Sequence, residues 1–171
     1  MLSPPMRRAL LTAHVACSVG TMGAVAAFLA LAITGVVSAD ASLVAAVYPA
    51  MRLITWVVIV PLVLASLLSG VMQALGTQWG LLRHYWVLIK LVLNVLVVGV
   101  LALQLNGIDY LADAAAHGRL EGVAHGSVRL SLVVHAAGGF VVLLTATILS
   151  VYKPRGLTRH GQRMRNTERH R

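Results

Sequence analysis

Seven histidines, one cysteine and one lysine set within apolar sequence are what this 171-residue chain offers for chemistry. His160 and His170 belong to a basic C-terminal stretch and His117 to a polar connection, which leaves His14, His84, His125 and His135 in or beside apolar runs. Neutral imidazole binds metal ions and haem iron and passes protons near neutral pH. Lys90 has apolar neighbours on both sides, with Asn94 one turn further along the same helical face. Such a lysine either extends its stem to the lipid headgroups or presents a fixed positive charge to an anion, a quinone oxygen or a propionate, with Asn94 and Gln73 as polar neighbours. Cys17 stands alone, so neither a disulfide scaffold nor a Cys-x-x-Cys metal pair can form.

The elements that position these residues follow from composition. The chain is 58% hydrophobic and 11% charged, against about 45–50% and 25% in soluble domains. That balance excludes a soluble globular protein. Four apolar stretches approach or exceed the roughly 20 residues that cross a bilayer: Leu10 to Val37, Leu53 to Leu75, Tyr85 to Leu105 and Leu130 to Tyr152. The first is about twice the 7–15 residues of a signal-peptide core, so it reads as a retained helix. In hydrocarbon each backbone polar group needs a partner within its own segment, which makes the spans helices, and short connections make neighbours antiparallel. The expected fold is all-α, an integral-membrane antiparallel four-helix bundle over residues 10–152, between a short N-terminus (1–9) and a basic tail (153–171).

Arg7, Arg8, Arg83 and the tail residues Lys153, Arg155, Arg159, Arg163, Arg165, Arg169 and Arg171 all fall on one side of such a bundle. Asp40, Asp109, Asp113 and Glu121 lie on the other with Arg52, Arg119 and Arg129. The excess of positive charge places both termini in the cytoplasm, in a multi-pass inner-membrane protein. The tail is suited to anionic lipid headgroups, and it lacks the folded module or interleaved aromatics of a nucleic-acid binder. Residues 106–128 read as a long outer connection in which Ile108, Leu111 and Ala115 share one side of a short amphipathic helix, followed by Gly118, Gly122 and Gly126. Pro61 removes one backbone donor and predicts a kink in the second helix, with carbonyls near Val57 left to neighbours or water. Ala16, Gly20 and Ala24, Ser66 and Gly70, and the pair Gly138-Gly139 predict close helix approach.

Depth decides which histidines can cooperate. His14 follows Arg8 by six residues, about 9 Å along a helix, and His84 sits at the mouth of the third span, so the two share a layer. His135 precedes Lys153 by 18 residues, about 27 Å, which puts it in the opposite half, some 18 Å from the His14 layer. A bis-histidine haem needs two imidazoles at one depth on facing helices, so His14 with His84 satisfies the depth requirement and His14 with His135 fails it. The competing reading for each histidine is an interhelical hydrogen bond to a carbonyl, Ser or Thr, and for the Arg83-His84-Tyr85-Trp86 run an interfacial anchor. A chemical site at this end consists of His14, His84 and Lys90 as cofactor-binding residues, with His14 and His84 as the metal ligands. Lys90 repels a bare cation and suits a propionate, which favours haem b or an anionic ligand over a simple ion.

His14 with Ser18-Val19-Gly20-x-x-Gly23, then Pro61-x-x-x-Ala65-Ser66-x-x-Ser69-Gly70, then Leu75-Gly76-Thr77-x-Trp79-Gly80-Leu81-x-Arg83-His84-Tyr85-Trp86-x-Leu88-x-Lys90, resembles the copper-resistance-D-like (CopD-like) four-helix membrane domains. His135-Ala136-x-Gly138-Gly139 and Ser150-Val151-Tyr152-Lys153-Pro154-Arg155-Gly156 look like a related actinobacterial branch. The resemblance covers three of the four spans and implies a four-helix unit sometimes associated with copper handling. The chain has no Met-x-x-x-Met run of the kind that selects Cu(I). Three classes of function remain: a membrane protein that binds haem or a metal between its helices, a non-catalytic subunit that assembles with membrane partners or with itself, and a small transporter, copper included. The first predicts converging histidines, the second a dry bundle, and the third a polar path joining both sides.

Overall fold

Long uncharged apolar runs in lipid leave the backbone one economical solution, and the chain takes it four times. The computed structural model describes residues 3–76, 81, 83–120, 123–152, 156–158 and 161–162, with the backbone alone for 123–125. Helix α1 covers Pro4–Val37 and begins on two prolines, whose missing N–H groups cost nothing in a first turn. The second span is one helical rod in three pieces: α2 (Ala41–Ile54), a π-helical turn (Thr55–Ile59) and α3 (Val60–Gly76). Helices α4 (Tyr85–Ala116) and α5 (Val123–Tyr152) complete an all-α, membrane-spanning four-helix bundle. The hydroxyls of Thr12, Thr34, Thr145 and Ser150 return to the carbonyl four residues back and so are satisfied within their own helices.

The spans pack in a ring in chain order. α1 lies against the second span and α5, and α4 lies against the same two neighbours. Among the described residues no Cα of α1 comes within 8 Å of one of α4, so spans one and three stand at opposite corners. We call the end bearing Pro4, Gly76, Tyr85 and Tyr152 the terminal end, and the other the distal end.

The helices run beyond the spans expected of them. Residues 106–116 are not part of an outer loop: α4 continues through them and stops at Ala116. Gly118, at φ 63°, ends it, with the Gly118 N–H on Ala115 O at 3.1 Å and the Arg119 N–H on Ala114 O at 2.8 Å. Those are the two closing bonds of a helix stop that requires a left-handed residue. Ile108, Leu111 and Ala115 do share one helical side, but it is buried against α2 rather than laid on a membrane surface. Likewise residues 41–52 are helical, started by Asp40, whose carboxylate accepts from Ser42 N at 2.9 Å and Leu43 N at 3.3 Å. At 30 to 36 residues per rod, the helices reach about 45–54 Å, well beyond the ~30 Å hydrocarbon layer.

The distal end holds the densest core. Phe28 and Ala32 of α1, Val44, Val47, Tyr48 and Met51 of α2, Ile108, Leu111 and Ala115 of α4, and Leu132 of α5 form one buried cluster. The Tyr48 hydroxyl donates to Gly35 O at 2.9 Å, and a Cβ on residue 35 would lie 2.6 Å from that hydroxyl, so α1 must carry glycine there. Just before Pro61 the rod carries a π turn, in which the Val60 N–H reaches Thr55 O one residue further back than in an α-helix. Gly20 and Gly70 are the close-approach positions predicted for them, against Leu62 and His14 respectively. Gly138 and Gly139 are not, since a Cβ on either would meet nothing within 4 Å.

Candidate functional site

The terminal half of the interface between α1 and α3 is polar. α1 turns Leu10, His14 and Ser18 to α3, which answers with Gln73, Ser69 and Ser66. The spacings are those of one helical face on each side. Gln73 Nε2 donates to Leu10 O at 3.1 Å, and Ser18 Oγ meets Ser66 Oγ at 2.8 Å. Between them His14 Nδ1 lies 3.0 Å from Ser66 O and 3.1 Å from Ser69 Oγ. Ser66 and Ser69 are both buried, and His14 is half-buried.

These distances fix the histidine's tautomer. A carbonyl oxygen only accepts, so Nδ1 carries the hydrogen and donates it to Ser66 O. Ser69 already donates its own hydrogen to Ala65 O at 2.6 Å, so toward Nδ1 it too can only accept. In the neutral ring Nε2 then holds the lone pair, and no hydrogen-bond partner for Nε2 is found among the described residues. Anchoring of one ring nitrogen on a carbonyl is how ligating histidines are held for a metal on the other. Gly70 makes room, because a Cβ there would lie 3.0 Å from the ring's Cε1.

His84 is the residue that precedes α4, at the terminal end as its position in the sequence predicts. It is half-buried, its ring centroid is 6.5 Å from that of Trp86, and its backbone pairs in an isolated antiparallel bridge with Leu157. Lys90 is half-buried one helical turn beyond Trp86. Its Nζ lies 5.7 Å from the Trp86 ring centroid. Lys90 thus leans over the aromatic face of Trp86, one turn nearer the terminal end. The two polar neighbours expected beside it are committed elsewhere, Asn94 to Lys90's own carbonyl at 2.8 Å and Gln73 to α1.

His135 has a different setting. Its Nδ1 donates to Ser131 O of its own helix at 2.7 Å, and the side chain is exposed on the bundle surface. Ser131 in turn accepts from Gln104 of α4 at 3.1 Å. Among the described residues no three His, Cys, Asp or Glu side chains gather as a metal site requires. The side chain of His125 and the tail residues Lys153, Arg155, Arg159, His160, Arg163, Arg165, Arg169, His170 and Arg171 lie outside the described residues, as do Glu121 and Gly122.

Sequence reasoning did not find the distal charge cluster. Arg52 on α2 meets Asp109 at 3.1 Å and Asp113 at 2.9 Å, two carboxylates one turn apart on α4, and Trp56 Nε1 donates to Asp109 at 3.2 Å. The four-residue spacing of Asp109 and Asp113 was the available signal. An open groove of about 360 Å³ lined by Leu53, Trp56, Val57 and Ala112 adjoins it. The same end holds Arg129, which donates to Leu120 O at 2.8 Å and stands 5.5 Å from the Tyr48 ring centroid. The geometry thus gives a multi-span membrane bundle with a polar α1–α3 seam around His14 at its terminal end and an ion-paired distal end. No protein family matches the chain, and no curated protein or solved structure matches it either.

Proposed function

We propose that this is a small membrane-embedded binding protein whose site lies at the terminal end of the bundle and consists of His14, His84 and Lys90. The ligand class is haem b or another flat cofactor with an anionic edge. The observation that carries the reading is the anchored His14 ring, with Nδ1–H on Ser66 O and the Nε2 lone pair uncommitted among the described residues. His84 immediately precedes α4, which stands diagonally across the bundle from α1. Lys90 supplies positive charge at the mouth, suited to a propionate and unsuited to a bare cation. A copper ion held by His14 and His84 alone would lack the soft ligands Cu(I) selects. A transport path is disfavoured because the polar seam gives way to the apolar cluster of Phe28, Met51 and Leu111.

The purified protein, reconstituted with haem, is expected to show a Soret band that His14→Ala and His84→Ala abolish or shift and His135→Ala leaves in place. A protein that takes up no haem, or a band that survives both substitutions, overturns the reading. We also place both termini in the cytoplasm of an inner-membrane protein, with the basic tail against anionic lipid headgroups. A reporter fused after Arg171 should be active only in the cytoplasm, and one inserted at Gly118 only outside; the reverse pattern rejects this orientation.

A further inference from the structure

The chain does not leave the bundle cleanly after α5. Residues 156–158 and 161–162 fold back across the start of α4. Leu157 pairs with His84 in the antiparallel bridge, and the Thr158 N–H donates to Arg83 O at 3.0 Å. The Thr158 hydroxyl donates to the same carbonyl at 3.3 Å and accepts from the Gly161 N–H at 3.1 Å. Gln162 N then closes a turn on Thr158 O at 2.9 Å. Thr158 and Gly161 are buried, and a Cβ on Gly161 would overlap the Arg83 carbonyl. Gly156 meets the Tyr85 ring, with 3.6 Å from its would-be Cβ to the nearest ring carbon. A merely solvated basic tail requires none of this stereochemistry. The strap grips Arg83, His84 and Tyr85, one of which carries an imidazole of the proposed site.

We propose that Thr158 and Gly161 are positioning residues: the strap residues 156–158 and 161–162 fix the main chain at Arg83–His84 and thereby set the His84 imidazole at the terminal mouth. The proposal rests on the binding reading for the ligand it serves, and on geometry alone for the strap. α4 begins immediately after His84, where the first turn of any helix lacks intrahelical partners for its N–H groups. An end of that kind frays unless something outside the helix holds it. The strap supplies the hold through the Arg83 carbonyl, one residue before the helix boundary.

The test uses the full-length protein in lipid nanodiscs, with Gly161→Val to force the strap away, Thr158→Val to delete its hydroxyl at constant shape, and Thr158→Ser to restore that hydroxyl. Amide hydrogen exchange reads the strap without any ligand. The wild type should protect the Thr158 and Gln162 amides and the first turn of α4, and Gly161→Val should raise exchange at least tenfold in both places, with Thr158→Ser near the wild type. Haem titration reads the site. Both valine variants should weaken haem binding at least tenfold and convert a six-coordinate spectrum to a five-coordinate one that added imidazole restores, as for His84→Ala, while Thr158→Ser keeps the wild-type spectrum. Exchange that rises in the strap but not at the start of α4, or a six-coordinate spectrum unchanged in Gly161→Val, overturns the positioning role while the binding reading stands. If the wild type takes up no haem, the binding reading falls, and the positioning role is then decided by exchange at the start of α4.

Discussion

The two ends of this bundle are held together by different physics. At the distal end α2 and the last third of α4 bury Tyr48, Met51 and Leu111 completely or nearly so, and charged Arg52, Asp109 and Asp113 line the outer side of the same contact. Charges at that density mark the edge of the hydrocarbon, so water reaches this layer and apolar burial is driven there as in a soluble protein. At the terminal end no residue of α4 before Ile108 is buried, and α1 meets α3 through His14, Ser18, Ser66, Ser69 and Gln73. Lipid tails are as apolar as leucine, so there the helices gain nothing by hiding apolar surface from lipid and are joined by small residues and hydrogen bonds. An end filled by large apolar side chains and an end joined through polar ones thus sit on the same helices, and the proposed binding site falls at the second.

The sharpest way to break that contrast is to remove one side chain from each end. Leu111 is fully buried, and Leu111→Ala should lower stability by about 2–5 kcal/mol, the range for a core leucine whose cavity cannot close. It should leave haem uptake by folded protein unchanged. His14→Ala should lower stability by only about 0.6–1.7 kcal/mol, as for an interhelical hydrogen bond in a membrane, yet eliminate binding. Thermal or denaturant unfolding in one detergent, with a haem titration of the same samples, measures both. Equal stability losses would mean that the two ends are not held differently.

The terminal seam was more legible in the sequence than the distal core, for a physical reason. His14 and Lys90 are conspicuous because a polar group in an apolar run is rare, and Ser66 and Gly70 stand out as small residues at helical spacing. What the sequence does not mark is the partner: nothing in His14 itself selects Ser66 and Ser69 over a residue on α4. On α4 the pattern of Ile108, Leu111 and Ala115 reads as a short amphipathic helix but not as a continuation of the third span, and the extension of the second span before Leu53 goes unread although its pattern is present. Val44, Val47, Tyr48 and Met51 follow the i, i+3, i+4, i+7 rule, as do Ile108, Leu111, Ala112 and Ala115. Asp40, Pro49, Arg52, Asp109 and Asp113 obscure both, since in a membrane protein charges and proline suggest that the helix has ended. Here they mark the end of the lipid, while the helices continue as water-soluble ones. The strap was illegible because Thr158 and Gly161 act through backbone contacts that no periodicity encodes.

A smaller effect tests whether the distal ion pairs help hold their end together or only decorate it. Arg52 is about half exposed, at 47% of its side-chain surface, and Asp113 more so at 65%. Exposed pairs of this kind are worth about 0–1 kcal/mol and are screened by salt. Arg52→Gln should therefore lower stability by less than about 1 kcal/mol, and the difference from the wild type should shrink as salt is raised from 50 mM toward 1 M. A loss comparable to that of Leu111→Ala, insensitive to salt, would make Arg52 the organiser of the distal end in place of the apolar cluster.

The smallest effect lies at the turn that starts α2. Asp40 is fully exposed, yet its carboxylate is held below the ordinary carboxylate range by the Ser42 hydroxyl at 2.7 Å and the Leu43 and Ser42 amides. Because the folded-state value is depressed, the charged cap favours the folded state at any pH above the unfolded carboxylate's value, about 4. That contribution is lost as pH falls from there through the lower folded value. Unfolding temperatures measured from pH 7 down to pH 3 should therefore drop more steeply in the wild type than in Asp40→Asn. Asparagine caps a helix about as well as aspartate and does not titrate, so the variant should match the wild type at pH 7 to within the loss of one exposed charge. The difference should be confined to the acid limb and should spare the terminal end, where hydrogen exchange at the α1–α3 seam is expected to be the same at pH 7 and in the acid limb. A variant that tracks the wild type throughout would show that Ser42 and Leu43 amides find water as readily as the carboxylate. A seam that loosens with the cap would show that the two ends are coupled along the rod through the π turn, and the contrast between the two ends would then fail.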